Sequence, residues 1–150
     1  MNAEMIMEDN SKLKVEKIKR GIVLDHIAAG NGMPIFHYLH LENLDCSVVL
    51  IKNVASRKMG KKDMIKIEDE LNIDMDSLGY IDPNITVIKV EDGNITSKQK
   101  LTLPRSLTNV IFCKNPRCIT SIEQEIIHIF DLSDDKSRTY RCRYCEQESK

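Results

Sequence analysis

The sequence predicts an α+β fold in two parts, a ferredoxin-like sandwich followed by a small all-β domain of zinc-ribbon-like type. Two observations carry this. From Ile22 onward, apolar runs and turn residues alternate as β-α-β-β-α-β-β, and the first six elements follow the split βαβ pattern. Four cysteines then fall within the last 38 residues, as Cys113-x4-Cys118 and Cys142-x2-Cys145 with 23 residues between the pairs.

Each element has a local reason. Ile22–Ile27 is rich in β-branched residues and reads as a strand. Ala28–Met33 is a glycine-containing loop. Pro34 suits the first position of a helix, and Ile35 and Leu39 share one face of it, so a short helix is expected over 34–41. Cys46–Asn53 is an apolar strand, with Cys46 read as a buried core thiol. Met64, Ile65 and Ile67 mark the next strand. Asp74 is a natural N-cap for a helix over Met75–Ile81, which Pro83 limits. Ile85–Val90 and Ile95–Gln99 form a hairpin around Asp92-Gly93, the pair that a two-residue turn with left-handed backbone favours. With both helices on one face of an antiparallel sheet, this is a sandwich.

Leu103-Pro104-Arg105 ends that pattern. Beyond it, a strand is expected over Glu125–Phe130, a polar turn over Asp131–Ser137, and a return through Thr139–Arg141 into the second cysteine pair. The expected organisation is a flexible segment over 1–12, an α+β domain over 13–102, and a metal-binding domain over 103–150.

Two short loops, each presenting two thiolates and separated by room for a hairpin, satisfy a tetrahedral four-cysteine zinc site at Cys113, Cys118, Cys142 and Cys145. Four thiolates leave no open position for water, so one such zinc ion per chain builds structure and does not catalyse. Two disulfides are the competing reading. The polar start of the chain and the lack of a long apolar run point to a cytoplasmic protein without a membrane span. In that compartment paired thiols favour metal over disulfide.

Composition excludes further classes. The net charge is −1 and tryptophan is absent, which argues against bulk nucleic-acid binding and against aromatic stacking platforms for RNA. No phosphate-binding glycine loop, nucleophile elbow or metalloprotease motif is present. Asp25-His26 is an acid–base pair by composition, but neighbours on a regular strand point to opposite faces. A binding role before a glycine loop suits them better than catalysis. Lys58, Lys61, Lys62, Lys66, Lys98 and Lys100 lie in or beside strands, and strand edges could gather them around a phosphate. His37, His40 and His128 lack ligand-like companions and read as surface or interface residues.

Taken together, these pieces resemble the regulatory chain of aspartate carbamoyltransferase. The resemblance runs from about Leu13 to Glu148. Its carriers are Leu13–Gly21, Val23–Ile27, Met59–Glu68, Pro83 with Thr86-Val87, Leu103-Pro104, Asn109-Val110 and the two cysteine pairs with Ile119 and Glu146.

The resemblance implies a non-catalytic subunit of a pyrimidine-biosynthetic enzyme. Its N-terminal domain forms a homodimer and binds CTP, UTP and ATP, and its zinc domain docks on separate catalytic chains. It implies a base subsite near Val15, Glu16 and Ile18. Asp25 and Lys66 would hold the ribose, and His26 and Lys98 the phosphates, with Lys62, Thr86 and Ile95 at other pocket positions. Ile88 and Gly93 stand where the family's best-known pocket has asparagine and tyrosine, so effector selectivity departs from that pattern. The competing functions are a zinc-ribbon nucleic-acid-binding protein, through Arg138, Arg141 and Arg143, and a small nucleotide-modifying enzyme.

Overall fold

The computed structural model describes residues 17–149. The expected flexible segment 1–12, and Val15 and Glu16, lie outside them. The elements are β1 (Gly21–Ala28), α1 (Gly32–Tyr38), a 3-10 turn (Leu41–Asn43), β2 (Val48–Ser56), β3 (Gly60–Ile67), α2 (Met75–Ile81), β4 (Thr86–Glu91), β5 (Asn94–Lys100), β6 (Ser106–Thr108), α3 (Ile119–Ile122), β7 (Ile129–Asp134) and β8 (Thr139–Cys142).

The first sheet has the order β2-β3-β1-β4-β5, and every pairing in it is antiparallel. β3 sits between β1 and β2, which is the split βαβ arrangement, and β5 adds an edge. Alternation decides the two faces. Leu24 lies opposite Ile65 and Val87, and all three are buried. Ile35 of α1 is also fully buried, and Gly32 at the start of the helix donates its N–H to the Asp63 carboxylate on this face.

Asp63 is the polar anchor of the face. Its carboxylate is fully buried and accepts from the N–H groups of Gly30 (3.1 Å), Gly32 (2.9 Å) and Asn53 (3.0 Å). One side chain thus ties the loop after β1, the first turn of α1 and an irregularity in β2.

Several local expectations hold. Asp74 caps α2, accepting from Asp76 N and Ser77 N. Asp92 and Gly93 both have positive φ, 51° and 78°, as the two-residue hairpin turn requires. Pro34, by contrast, is the third helical residue rather than the first. It is tolerated because first-turn N–H groups have no intrahelical partner.

Four expectations are corrected. Cys46 is half-buried and precedes β2, outside the core. The strand expected over 125–130 runs instead over Ile129–Asp134, through most of the expected polar turn. Buried Phe130 and half-buried Leu132 alternate with Asp131 and Ser133, and β6 supplies Leu107 opposite Phe130; the apolar Ile126-Ile127 run stays in a loop. The second sheet is therefore β6-β7-β8, with α3 as one helical turn beside it in sequence.

The grouping of α2 also differs. The described residues form two compact units, 17–73 with 84–100, and 74–83 with 101–149. α2 thus belongs with the cysteine-bearing unit. A Cβ on Gly79 would collide with the Thr102 carbonyl oxygen, and Tyr80 meets Tyr140 edge-on at 5.2 Å between ring centres. The fourth correction concerns His26.

Candidate functional site

The regular alternation that would separate Asp25 from His26 fails. Pairing between β1 and β3 slips between Leu24 and Ile27, and His26 takes a left-handed φ of 59°. This β-bulge turns the imidazole back toward its neighbour. Asp25 Oδ1 accepts the His26 N–H at 2.6 Å and lies 2.8 Å from Lys62 Nζ, while Asp25 Oδ2 is 3.9 Å from His26 Nδ1. The adjacent pair and a lysine from β3 form one cluster.

Register carries the rest. One row across the whole sheet reads Val49, Lys66, Val23, Ile88, Lys98. The next row on the same face includes Asp25, Thr86 and Lys100. Paired residues share a face, so Asp25, Lys66, Thr86 and Lys98 all lie opposite the Leu24–Ile65–Val87 core face. Ile95 pairs with Val90 nearer the Gly93 turn and is exposed. Ile18 is buried just before β1, and Gly93 N donates to Lys19 O at 2.8 Å. Every described residue of the expected pocket except Ile18 is thereby placed on the sheet or its bulge.

Burial tunes two of these groups. Lys66 is only 5% exposed, and burial pulls its pKa below the usual lysine value, against the attraction of Asp25. His26 is also lowered, first by burial, then by Lys62, Lys58 and Lys98, with Asp25 opposing. The face therefore offers ammonium donors and a largely neutral imidazole at pH 7, a set suited to hydroxyls and phosphates.

The second site is built on two knuckles. The four Sγ atoms of Cys113, Cys118, Cys142 and Cys145 all lie within 4.8 Å of one another. Cys113 to Cys145 is 3.6 Å and Cys118 to Cys142 is 3.7 Å, too long for disulfides. A tetrahedron with metal–sulfur bonds of about 2.3 Å has edges of about 3.8 Å, so these residues fit a four-thiolate ion.

Hydrogen bonds hold the knuckles in place. Cys118 N donates to Asn115 O at 3.0 Å, and Glu146 N donates to Cys142 O at 2.8 Å. Buried Thr120 places its hydroxyl 3.1 Å from the Cys118 sulfur. His128 is not a bystander: its Nδ1 accepts the Cys113 N–H at 3.1 Å. Neither Thr120 nor His128 had a signal in the cysteine spacing. His37, in contrast, is exposed and bonds Glu42 at 3.2 Å, and His40 takes a left-handed φ just beyond α1.

Without metal the four thiols pull apart in acidity. Burial pushes Cys113 up to about 12 and also raises Cys142. At Cys118 and Cys145 burial acts in the same direction but is outweighed by hydrogen bonds, from Thr120 at Cys118 and from Asn115 and Gln147 at Cys145, which falls to about 7. Two of the sulfurs, on Cys118 and Cys142, form part of the unit's own buried core with Leu107, Phe130 and Tyr140.

Two of the three arginines, Arg141 and Arg143, are tied up in ion pairs. Arg143 makes two bonds to Asp131, at 2.8 and 3.0 Å, and Arg141 meets Glu148 at 2.7 Å. This weakens the support for a nucleic-acid-binding ribbon, leaving Arg138 as its exposed cation. Among the described residues no helix is long and apolar enough to cross a membrane.

One chain thus combines a sheet face that gathers lysines around Asp25 and His26 with four thiols placed to hold a metal ion. The comparisons with known proteins are specific. The family model described as "Aspartate carbamoyltransferase regulatory chain, allosteric domain" matches residues 13–102, and that described as "Aspartate carbamoyltransferase regulatory chain, metal binding domain" matches residues 105–150. An aspartate carbamoyltransferase regulatory chain of Clostridium botulinum is 53% identical over 135 residues, covering 90% of this chain and 92% of the relative. One of Clostridium tetani is 52% identical over 136 residues, covering 90% and 94%, and one of Bifidobacterium longum 39% over 138, covering 92% and 99%.

The chain belongs to the aspartate carbamoyltransferase regulatory chain family. Its relatives are named as the regulatory and not the catalytic chain, so pyrimidine biosynthesis and allosteric control, not catalysis, are its province.

Proposed function

We propose that this chain is the allosteric subunit of a cytoplasmic aspartate carbamoyltransferase, binding CTP, UTP and ATP on the open face of its first sheet. The observation that carries this reading is the strand register, which gathers Asp25, Lys62, Lys66, Thr86 and Lys98 on one face with His26 at its end. The span is right for a nucleotide. From the Gly21 end of β1, beside Gly93 and Ile95, to His26 is about 16 Å at about 3.3 Å per residue. The base then lies near Ile18 and Ile95, while Val15 and Glu16, also expected at the base, fall outside the described residues. Asp25 and Lys66 bind the ribose hydroxyls, and His26, Lys62 and Lys98 face the phosphates.

The domain organisation proposed is a flexible segment over 1–12, a nucleotide-binding and dimerising domain over 13–102, and a zinc domain over 103–150. The spans of the two family models support it, although α2 groups with the second unit by contact. One zinc ion on Cys113, Cys118, Cys142 and Cys145 holds the second domain, which docks on catalytic chains. Exposed Phe112, Ile119, Ile122, Ile127 and Tyr144 give that domain apolar surface to bury. A nucleotide changes activity only through different affinities for two states of the assembly.

Lys98→Ala tests the site. It should weaken triphosphate binding by about 1.5–3 kcal/mol, the scale of a hydrogen bond to a charged group. Basal activity of the complex assembled with catalytic chains should not change. Calorimetry on the isolated chain gives the first number and carbamoyl-transfer assays the second. Unchanged affinity for both CTP and ATP would reject the phosphate assignment, and lost basal activity would reject the division of labour.

A further inference from the structure

Of the four cysteines at the metal centre, Cys113 has the least secondary structure around it. Cys142 ends β8 and pairs with Phe130 across the sheet. Cys145 lies in a knuckle held by three backbone bonds: Glu146 N to Cys142 O at 2.8 Å, Cys142 N to Gln147 O at 3.0 Å and Arg143 N to Ile129 O at 2.8 Å. Cys118 caps α3, its carbonyl accepting from Ser121 N at 2.9 Å and Ile122 N at 3.2 Å. Cys113 closes an irregular loop, and its carbonyl accepts a long bond from Ser121 Oγ at 3.4 Å.

One residue staples that loop at both ends. At the near end the His128 backbone is bound twice by Asn109: Asn109 N donates to His128 O at 2.7 Å, and His128 N donates to Asn109 Oδ1 at 2.9 Å. Asn109 takes a left-handed φ of 57°, which turns the chain out of β6. At the far end the imidazole accepts the Cys113 N–H at Nδ1, which puts the ring proton on Nε2. Phe112 lies edge-on against the same ring, with 4.9 Å between centres, while staying 57% exposed.

The burial of the sulfurs gives this staple its consequence. Cys118 and Cys142 are buried, and Cys113 and Cys145 are half-buried. A chelator therefore reaches an ion in the cage past Cys113 or Cys145, and Cys145 is the better anchored of the two. Resting on the four-thiolate zinc reading above, we propose that Cys113 is the ligand through which metal leaves, and that His128 is the positioning residue that latches it. Without the Nδ1 acceptor the part-buried Cys113 N–H has lost its partner, and the loop over 109–113 opens to hydrate it. The hydrogen bond, not the bulk of the ring, does the holding.

The test is zinc release from the full chain into an excess of a chromogenic chelator, for the parent, His128→Ala, His128→Asn and His128→Phe. Asparagine carries an amide oxygen that can take the place of Nδ1, whereas phenylalanine keeps a ring and has no acceptor. His128→Ala and His128→Phe should release zinc about tenfold faster than the parent, and His128→Asn should stay within about threefold of it. Iodoacetamide added during release, with the products mapped by mass spectrometry, should mark Cys113 before Cys145. A His128→Ala chain that cannot be loaded with zinc while His128→Asn can would support the latch equally. Release from His128→Ala at the parent rate, or from His128→Asn as fast as from His128→Ala, overturns the latch. Earlier marking of Cys145 overturns the route. Both failures leave the zinc reading standing if the parent holds one zinc ion per chain, and a parent that holds none overturns both.

Discussion

Removing the metal should unfold one unit and leave the other standing. The metal-bearing unit comprises residues 74–83 and 101–149, roughly sixty residues. At about 0.05–0.15 kcal/mol per residue, its net stability would be about 3–9 kcal/mol. Its buried core is Leu107, Phe130 and Tyr140 together with Cys118 and Cys142. Three large side chains contribute about 1.5–3 kcal/mol each before chain entropy is charged against them. A structural zinc ion contributes about 10–16 kcal/mol to domains of this kind, more than the whole net stability.

Chelation of the full chain should therefore expose the amides of β7 and β8 to hydrogen exchange, while β1, β3 and β4 stay protected. The edge-on Tyr80–Tyr140 pair should lose its near-ultraviolet circular dichroism in the same step. Cys118→Ser should reproduce the effect. Metal affinity should also fall with pH, because each ligand binds as thiolate. Cys113, pushed up to about 12, releases its proton on binding throughout the neutral range, whereas Cys145, near 7, adds to the dependence only at and below neutrality. A metal-stripped chain with β7 and β8 still protected would refute the reasoning.

Two further outcomes test the first unit. Asp63→Ala should destabilise it by about 2–4 kcal/mol, read as a lower urea midpoint, since three backbone N–H groups lose their buried acceptor. His26 titrates below its ordinary value in the folded chain, so its contribution to stability is complete above about pH 6.5 and declines as pH falls through that value toward the folded one. A bound phosphate favours the imidazolium, so triphosphate affinity should rise as pH drops through the same window, and His26→Gln should abolish the rise in calorimetric titrations.

Much of the molecule was legible because its signals are local. A capping aspartate acts on N–H groups two and three residues away, as Asp74 does. Asp92-Gly93 needs only its own backbone preference to make a hairpin. Metal spacing is likewise written in the chain, since each knuckle is a short loop that stands or falls on its own residues. The pocket positions came from resemblance, not from any local rule.

What the sequence by itself determined, then, is the order of the first seven helices and strands, β1 to β5 with α1 and α2, the turn chemistry and a four-thiolate centre. Tertiary structure alone decided the rest. The bulge at His26 arises from register between β1 and β3, strands that lie far apart in the chain, and no alternation rule along β1 foretells it. Lys62 meets Asp25 for the same reason. α2 has the sequence of an ordinary capped helix, but the absence of a Cβ at Gly79 permits close approach to Thr102 and groups it with the metal-bearing unit. Phe130 and Leu132 form a strand because Leu107 and Cys142 lie on either side of Phe130 in the sheet, while the more apolar Ile126-Ile127 run finds no such partners. Side chains distant in sequence supply these constraints, and their free energy exists only once the chain has closed around them.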